Sequence, residues 1–164
     1  MSNVSKEFEL YEPMGNWLKQ YLTDKYKGCN IIVEDTSQIS LDKTLEKYGI
    51  ISQYPQTVGL DIQIDVLGIV TKGNKSKIIF IEAKKEKLNL HHLGQLWAYC
   101  KLCDPEEAFL FSSGGMGSLN KVLVNLSRED ILNYGDGKKI KQMAVAKWDI
   151  TKNAPDYTTM IPKR

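Results

Sequence analysis

Arginine is almost missing from this chain: Arg128 and Arg164 are the only two in 164 residues. The arginine fork is the commonest reader of guanine edges in a major groove, so its scarcity argues against a large arginine-built reader of base sequence. Phosphate contacts would fall to lysine. A dominant charge sign is missing too, because 22 basic and 20 acidic residues leave a net of +2, which permits a polyanionic partner without demanding one. No apolar run reaches the roughly 18 residues that cross a bilayer, and "MSNVSKEFELYEP" has no apolar leader core. The expectation is a soluble, cytoplasmic protein with no membrane partner. Cysteine is scarce and odd in number, and Cys29, Cys100 and Cys103 argue against a secreted disulfide framework. Cys100-x-x-Cys103, with His91 or His92 nearby, raises zinc, yet the pair falls on one predicted helix without a second cysteine pair. Buried thiols are expected.

Repeats, low-complexity tracts and Pro/Gly-rich linkers are absent as well. That leaves a single domain over 1–164, with its core at about 7–150 and a loosely ordered tail at about 153–164, in keeping with a usual domain size of roughly 100–150 residues.

What is present is a readable alternation of patterns. Leu10, Met14, Trp17, Leu18, Tyr21 and Leu22 recur at helical spacing, which predicts an amphipathic helix from about Lys6 to Lys25 that Pro13 either opens or kinks. "CNIIVED" reads as a strand and "LDKTLEKYG" as a short helix stopped by Gly49. In "GLDIQIDVLGIV", Leu60, Ile62, Ile64, Val66 and Val70 face one way and Asp61, Gln63 and Asp65 the other, as in a strand. Gly73-Asn74 supplies a hairpin turn into "KIIFIEAK". A helix follows from Leu90 to about Leu102, then a buried strand "AFLFSS", a glycine loop "GGMG", a mainly helical stretch over 118–134 and a last strand "QMAVAKWDI". The expected class is α/β, with a mixed central sheet flanked by helices.

The chemistry gathers on the hairpin. Residues two apart in a strand share a face at roughly 6.5–7 Å, so Glu82 and Lys84 project together while Ala83 points away. Pairing through the Gly73-Asn74 turn can set Asp65 beside Glu82, seventeen residues later. Adjacent carboxylates repel, and one would take up a proton unless a cation neutralises the pair. A hard divalent ion such as magnesium, which is commonly held by one or two carboxylates plus substrate phosphate, is the natural answer. Phosphodiester hydrolysis suits such a site.

These residues also carry a family resemblance. An acid in "IDVLGI" followed by "IEAKK" resembles the PD-(D/E)XK nuclease superfamily, and "GQLWAYC", with Gln95 and Tyr99 one helical turn apart, is similar to the QxxxY element of its RecB-type members. The likeness covers residues 7 to 113, and no proline precedes Asp65 or Asp61. It implies a restriction-endonuclease-like αβββαβ core, with Asp65 and Glu82 as metal ligands, the Ala83 carbonyl as a third, Lys84 as the catalytic lysine and Gln95 positioning water or phosphate. A glutamate from the first helix often joins such sites; Glu7, Glu9 and Glu12 compete for that place, with Glu12 favoured. Asp61 is the rival to Asp65 for the first ligand. The implied activity is magnesium-dependent DNA cleavage, with manganese able to substitute. The protein would be a restriction endonuclease or its small strand-cleaving subunit, working with a larger target-recognition subunit or as a homodimer. A junction- or repair-type nuclease, a nuclease acting on RNA or on DNA ends, and a non-catalytic nucleic-acid-binding protein are the alternatives.

Other features have plainer readings. Tyr99 is expected to pack its helix. His91 and His92 could touch phosphate or merely begin a surface helix. Gly114, Gly115 and Gly117 could let backbone approach DNA phosphates, but lack the Lys-Ser/Thr of a P-loop and read as a flexible connection. Lys138, Lys139 and Lys141 are candidate phosphate contacts or a solvated face.

Overall fold

Two helical layers enclose a sheet whose strands are apolar on both sides. The computed structural model describes residues 4–135 and 137–163, and Arg164 lies outside them. A 3₁₀ turn at Glu7–Leu10 leads into α1 (Tyr11–Lys25), then β1 (Asn30–Asp35), α2 (Leu41–Lys47), β2 (Val66–Lys72), β3 (Lys75–Lys84), α3 (Leu90–Cys103) and β4 (Glu107–Ser112). After α4 (Gly117–Asn120) come β5 (Asn133–Gly135), β6 (Ile140–Gln142), β7 (Ala144–Asp149) and β8 (Ala154–Pro155). Six strands form one sheet in the order β1-β2-β3-β4-β7-β8, while β5 and β6 make a separate hairpin. The pairs β1/β2 and β2/β3 are antiparallel, and β3/β4 and β4/β7 are parallel. The parallel step from β3 to β4 requires a crossover, and α3 supplies it.

Parity along β3 decides the layers. Ile79, Ile81 and Ala83 join Met14, Leu18 and Leu22 of α1 in one core, together with Val66, Phe109, Phe111 and Trp148. Ile78 and Phe80 join Leu93, Leu96 and Cys100 of α3 in the other, with Leu41, Leu45 and Leu67. A sheet covered on both faces explains why β2, β3 and β4 read as nearly unbroken apolar runs. Glu82 and Lys84 share parity with Phe80, so they end the α3 side of the strand.

Two expectations are corrected, the start of one strand and the loose tail. The strand read from Gly59 begins only at Val66, because Asp61 takes a left-handed backbone (φ 54°) that breaks the alternation. The segment before Val66 bonds elsewhere: the Leu41 N–H donates to the Ile62 carbonyl at 2.7 Å and the Thr36 N–H to the Asp65 carbonyl at 3.1 Å. The stretch 118–134 is mainly helical, as expected, in three pieces: α4, a π-helical turn at Lys121–Asn125 and a 3₁₀ turn at Glu129–Leu132, with Ser127 at φ 54° between the last two. The expected loose tail is built in, since β8 pairs with β7, Val145 bridges Ile161, and Met160 is fully buried. Pro13 lies in the first turn of α1, where it has no helical hydrogen bond to lose.

Candidate active site

The hairpin sets the geometry. Lys72 pairs with Lys75 across the two-residue turn, where Gly73 takes the φ of 64° that such a turn needs. Counting back, Val66 faces Ile81, so Asp65 stands opposite Glu82 one step past the end of the ladder. The Asp65 carboxylate accepts the Ala83 N–H at 2.9 Å, and the Glu82 carboxylate accepts the Asp65 N–H at 3.4 Å. In extended backbone the N–H and C=O of one residue point to the same side, so the Ala83 carbonyl also faces Asp65.

Burial makes this pair costly. Glu82 is only 6% exposed, and its carboxyl is pushed well above the usual range by desolvation first and the Asp65 charge second, with Lys84 opposing. Asp65 is raised as well, by burial, against the lowering pull of the Ala83 N–H, Lys84 and Tyr11. Asp65 and Glu82 titrate as one interacting pair, both raised by burial and Glu82 further by the charge of Asp65. A cation beside them would relieve both.

Lys84 carries its Nζ 3.9 Å from the Glu7 carboxylate, with about a fifth of its side chain exposed. Glu7, not the favoured Glu12, is therefore the glutamate that reaches the site. The reason is local: in a 3₁₀ turn residues three apart share a face, so Glu7 follows the buried Leu10 inward. Its carboxyl is raised by burial, opposed by Lys84. Glu12 is exposed and lines surface grooves, and Glu9 is exposed and accepts from the Ser5 hydroxyl at 2.8 Å. Asp61 is exposed in the segment ahead of β2 and does not join the pair.

Tyr11 was not singled out from the sequence. Its hydroxyl lies beside the Asp65 carboxylate, and burial with that neighbouring charge drives its pKa upward. The available signal was its place three residues before Met14 and seven before Leu18, on the core-facing flank of α1.

On α3, Gln95 Nε2 donates to the Tyr99 hydroxyl at 3.1 Å, so the two are joined as their spacing implied. Gln95 is exposed, and among the described residues no hydrogen bond links it to Asp65, Glu82 or Lys84. Tyr99 packs against the α3-side core. His91 is exposed, whereas His92 is buried near Lys84, its imidazole held neutral by burial and by that lysine. Among the described residues its Nδ1 has no hydrogen-bond partner. Cys100 and Cys103 are buried thiols, the latter pushed up to about 11 by burial. Lys139 and Lys141 are engaged by Glu106 at 3.2 Å and Asp104 at 3.1 Å, while Lys138 is exposed. The glycine loop is no flexible connection, for Gly114 leaves no room for a side chain against the backbone of 85–87.

Among the described residues no group of three or more His, Cys, Asp or Glu side chains is arranged to hold a metal. Two carboxylates and a main-chain carbonyl nevertheless fit a hard cation that keeps several waters of its own. Among the described residues no helix is long and apolar enough to cross a membrane. No family model, curated protein or solved structure matches the chain.

Proposed function

We propose that this chain is a magnesium-dependent endodeoxyribonuclease of the PD-(D/E)XK, restriction-endonuclease-like type. The observation that carries the reading is the set of Asp65, Glu82 and Lys84 on one side of the hairpin's end, where two buried acids face each other and a cation would relieve their repulsion. Asp65, Glu82 and the Ala83 carbonyl would hold magnesium, or manganese in its place. Bound there, the metal would acidify a water and neutralise charge on the phosphate. Lys84, steadied by Glu7, would orient the attacking water and stabilise charge on the phosphoryl oxygens. Tyr11 would keep Asp65 ionised and aimed at the cation. In the reaction the water oxygen would bond to phosphorus as one phosphoester P–O bond breaks, the water giving up a proton and the departing ester oxygen taking one from solvent. Gln95 would meet the DNA backbone from α3, with Tyr99 holding its amide.

The scarcity of arginine favours a restriction enzyme that takes its sequence choice from elsewhere, either as a small strand-cleaving subunit beside a larger target-recognition subunit or as a homodimer. A second reading, a non-catalytic nucleic-acid-binding protein of the same fold, draws on the lack of a third side-chain ligand among the described residues. Supercoiled, linear and branched DNA incubated with magnesium separates the two. Cleavage that falls by about 1,000-fold or more in both Asp65→Ala and Lys84→Ala is expected. Undiminished cleavage in either variant would sink the proposal, and metal-independent binding without cleavage would favour the second reading.

A further inference from the structure

Lys84 is the last residue of β3, and the chain must leave the sheet there and start α3 only a few residues later. What fixes its backbone lies across the sheet, at the end of β4. Lys84 pairs with Ser112, and the Ser113 N–H donates to the Lys84 carbonyl at 3.0 Å. The Ser112 hydroxyl donates to the Glu86 carbonyl and accepts the Gly114 N–H at 3.0 Å. Leu88 in turn donates its N–H to the Gly115 carbonyl at 3.0 Å. The approach is too close for side chains, since a Cβ on Gly114 would lie 2.6 Å from the Lys85 carbonyl oxygen and 2.8 Å from the Lys87 nitrogen. Gly117, at φ 54°, would likewise collide with the Leu88 carbonyl if it carried a Cβ.

We propose that Ser112 and the glycine turn behind it form a clasp that positions Lys84 against Asp65 and Glu82. The proposal rests on the reading of those three residues as a hydrolytic site. Ser112 has no exposed surface, and its one hydroxyl serves a carbonyl and an N–H at once, which no apolar side chain of that size can do. Phe109, Leu110 and Phe111 already bury β4 on both faces, so the sheet does not depend on this hydroxyl for its packing. The clasp acts where the ladder has ended and the lysine begins. A displacement of about 1 Å at such a group costs roughly 100-fold in rate.

Ser112→Ala removes both bonds, Ser112→Thr keeps the hydroxyl, and Gly114→Ala pushes the two loops apart. Single-turnover cleavage of magnesium-loaded protein on DNA is paired with amide hydrogen exchange on the DNA-free protein. Ser112→Ala and Gly114→Ala should cleave roughly 100-fold more slowly with KM unchanged, and Ser112→Thr should recover most of the rate. Exchange should quicken at Glu86–Leu88 while the β2–β3 amides keep their protection. A wild-type rate in Ser112→Ala, unchanged exchange at those residues, or protection lost equally across the hairpin would each overturn the clasp. A wild-type protein that cuts no DNA would instead overturn the hydrolytic reading, and the exchange arm would still decide the clasp.

Discussion

Two glutamates lie at opposite ends of the parallel strand pair, Glu82 at 6% exposure near the end of β3 and Glu107 at 7% at the start of β4. Burial is equal, yet their acidities move in opposite directions. Glu107 accepts from the Tyr21 hydroxyl at 2.6 Å and the Tyr26 hydroxyl at 2.7 Å, with Lys25 Nζ at 3.0 Å, and these partners hold its carboxyl below the usual range despite desolvation. Glu82 meets a second carboxylate and one long N–H bond, and it is pushed up. The difference teaches that low exposure alone does not set a carboxyl's acidity: partners decide whether desolvation is overcome. Glu107 has its partners built in, whereas Glu82 faces another acid.

The comparison can be broken at either end. Glu107→Ala strands two tyrosine hydroxyls, and a loss of about 3 kcal/mol is expected in urea denaturation, with little change in cleavage per folded molecule. Because Glu107 ionises more readily when folded, its contribution is complete above the ordinary glutamate range and is lost as pH falls through its lowered value. Glu82 runs the other way. A carboxyl that keeps its proton more tightly in the fold stabilises in acid, and that contribution is lost as pH rises from the ordinary glutamate value through the raised one. Magnesium at a hundred times its Kd should then return about 2.7 kcal/mol to the wild-type protein at neutral pH, read as a rise in Tm. Glu82→Gln should gain nothing from magnesium while starting about 1 kcal/mol more stable without it, since the mutual repulsion is gone. A Glu82→Gln variant that still responds to magnesium would erase the contrast. At Tyr11→Phe the expected effect falls on cleavage alone, about tenfold slower, equivalent to roughly 1.4 kcal/mol, with Tm nearly unchanged.

The core of the site was legible because a two-residue turn leaves no slack: once Gly73-Asn74 is the turn, the partner of Asp65 follows by counting, and strand parity brings Lys84 with it. The helix spacing of Gln95 and Tyr99 was legible for the same local reason. Glu7 was not, since the choice among three glutamates turned on a 3₁₀ rather than an α-helical period ahead of Tyr11. Asp61 misled because alternation in letters persisted through a residue whose backbone had turned left-handed. Ser112 and the C-terminal stretch depend on contacts between segments far apart in the chain, which periodicity does not encode.

The clasp also orders events in time. The β2–β3 hairpin closes on its own neighbours, a process of roughly 1–10 μs, whereas Lys84 waits for Ser112 on the far side of α3. On this reading a refolding chain would bring Asp65 and Glu82 together before Lys84 is set. Pulse-labelled exchange during refolding is expected to protect the hairpin amides before Leu88, and simultaneous protection would refute that order. If the chain is the DNA-cutting enzyme proposed, late setting of Lys84 would leave partly folded molecules unable to cut.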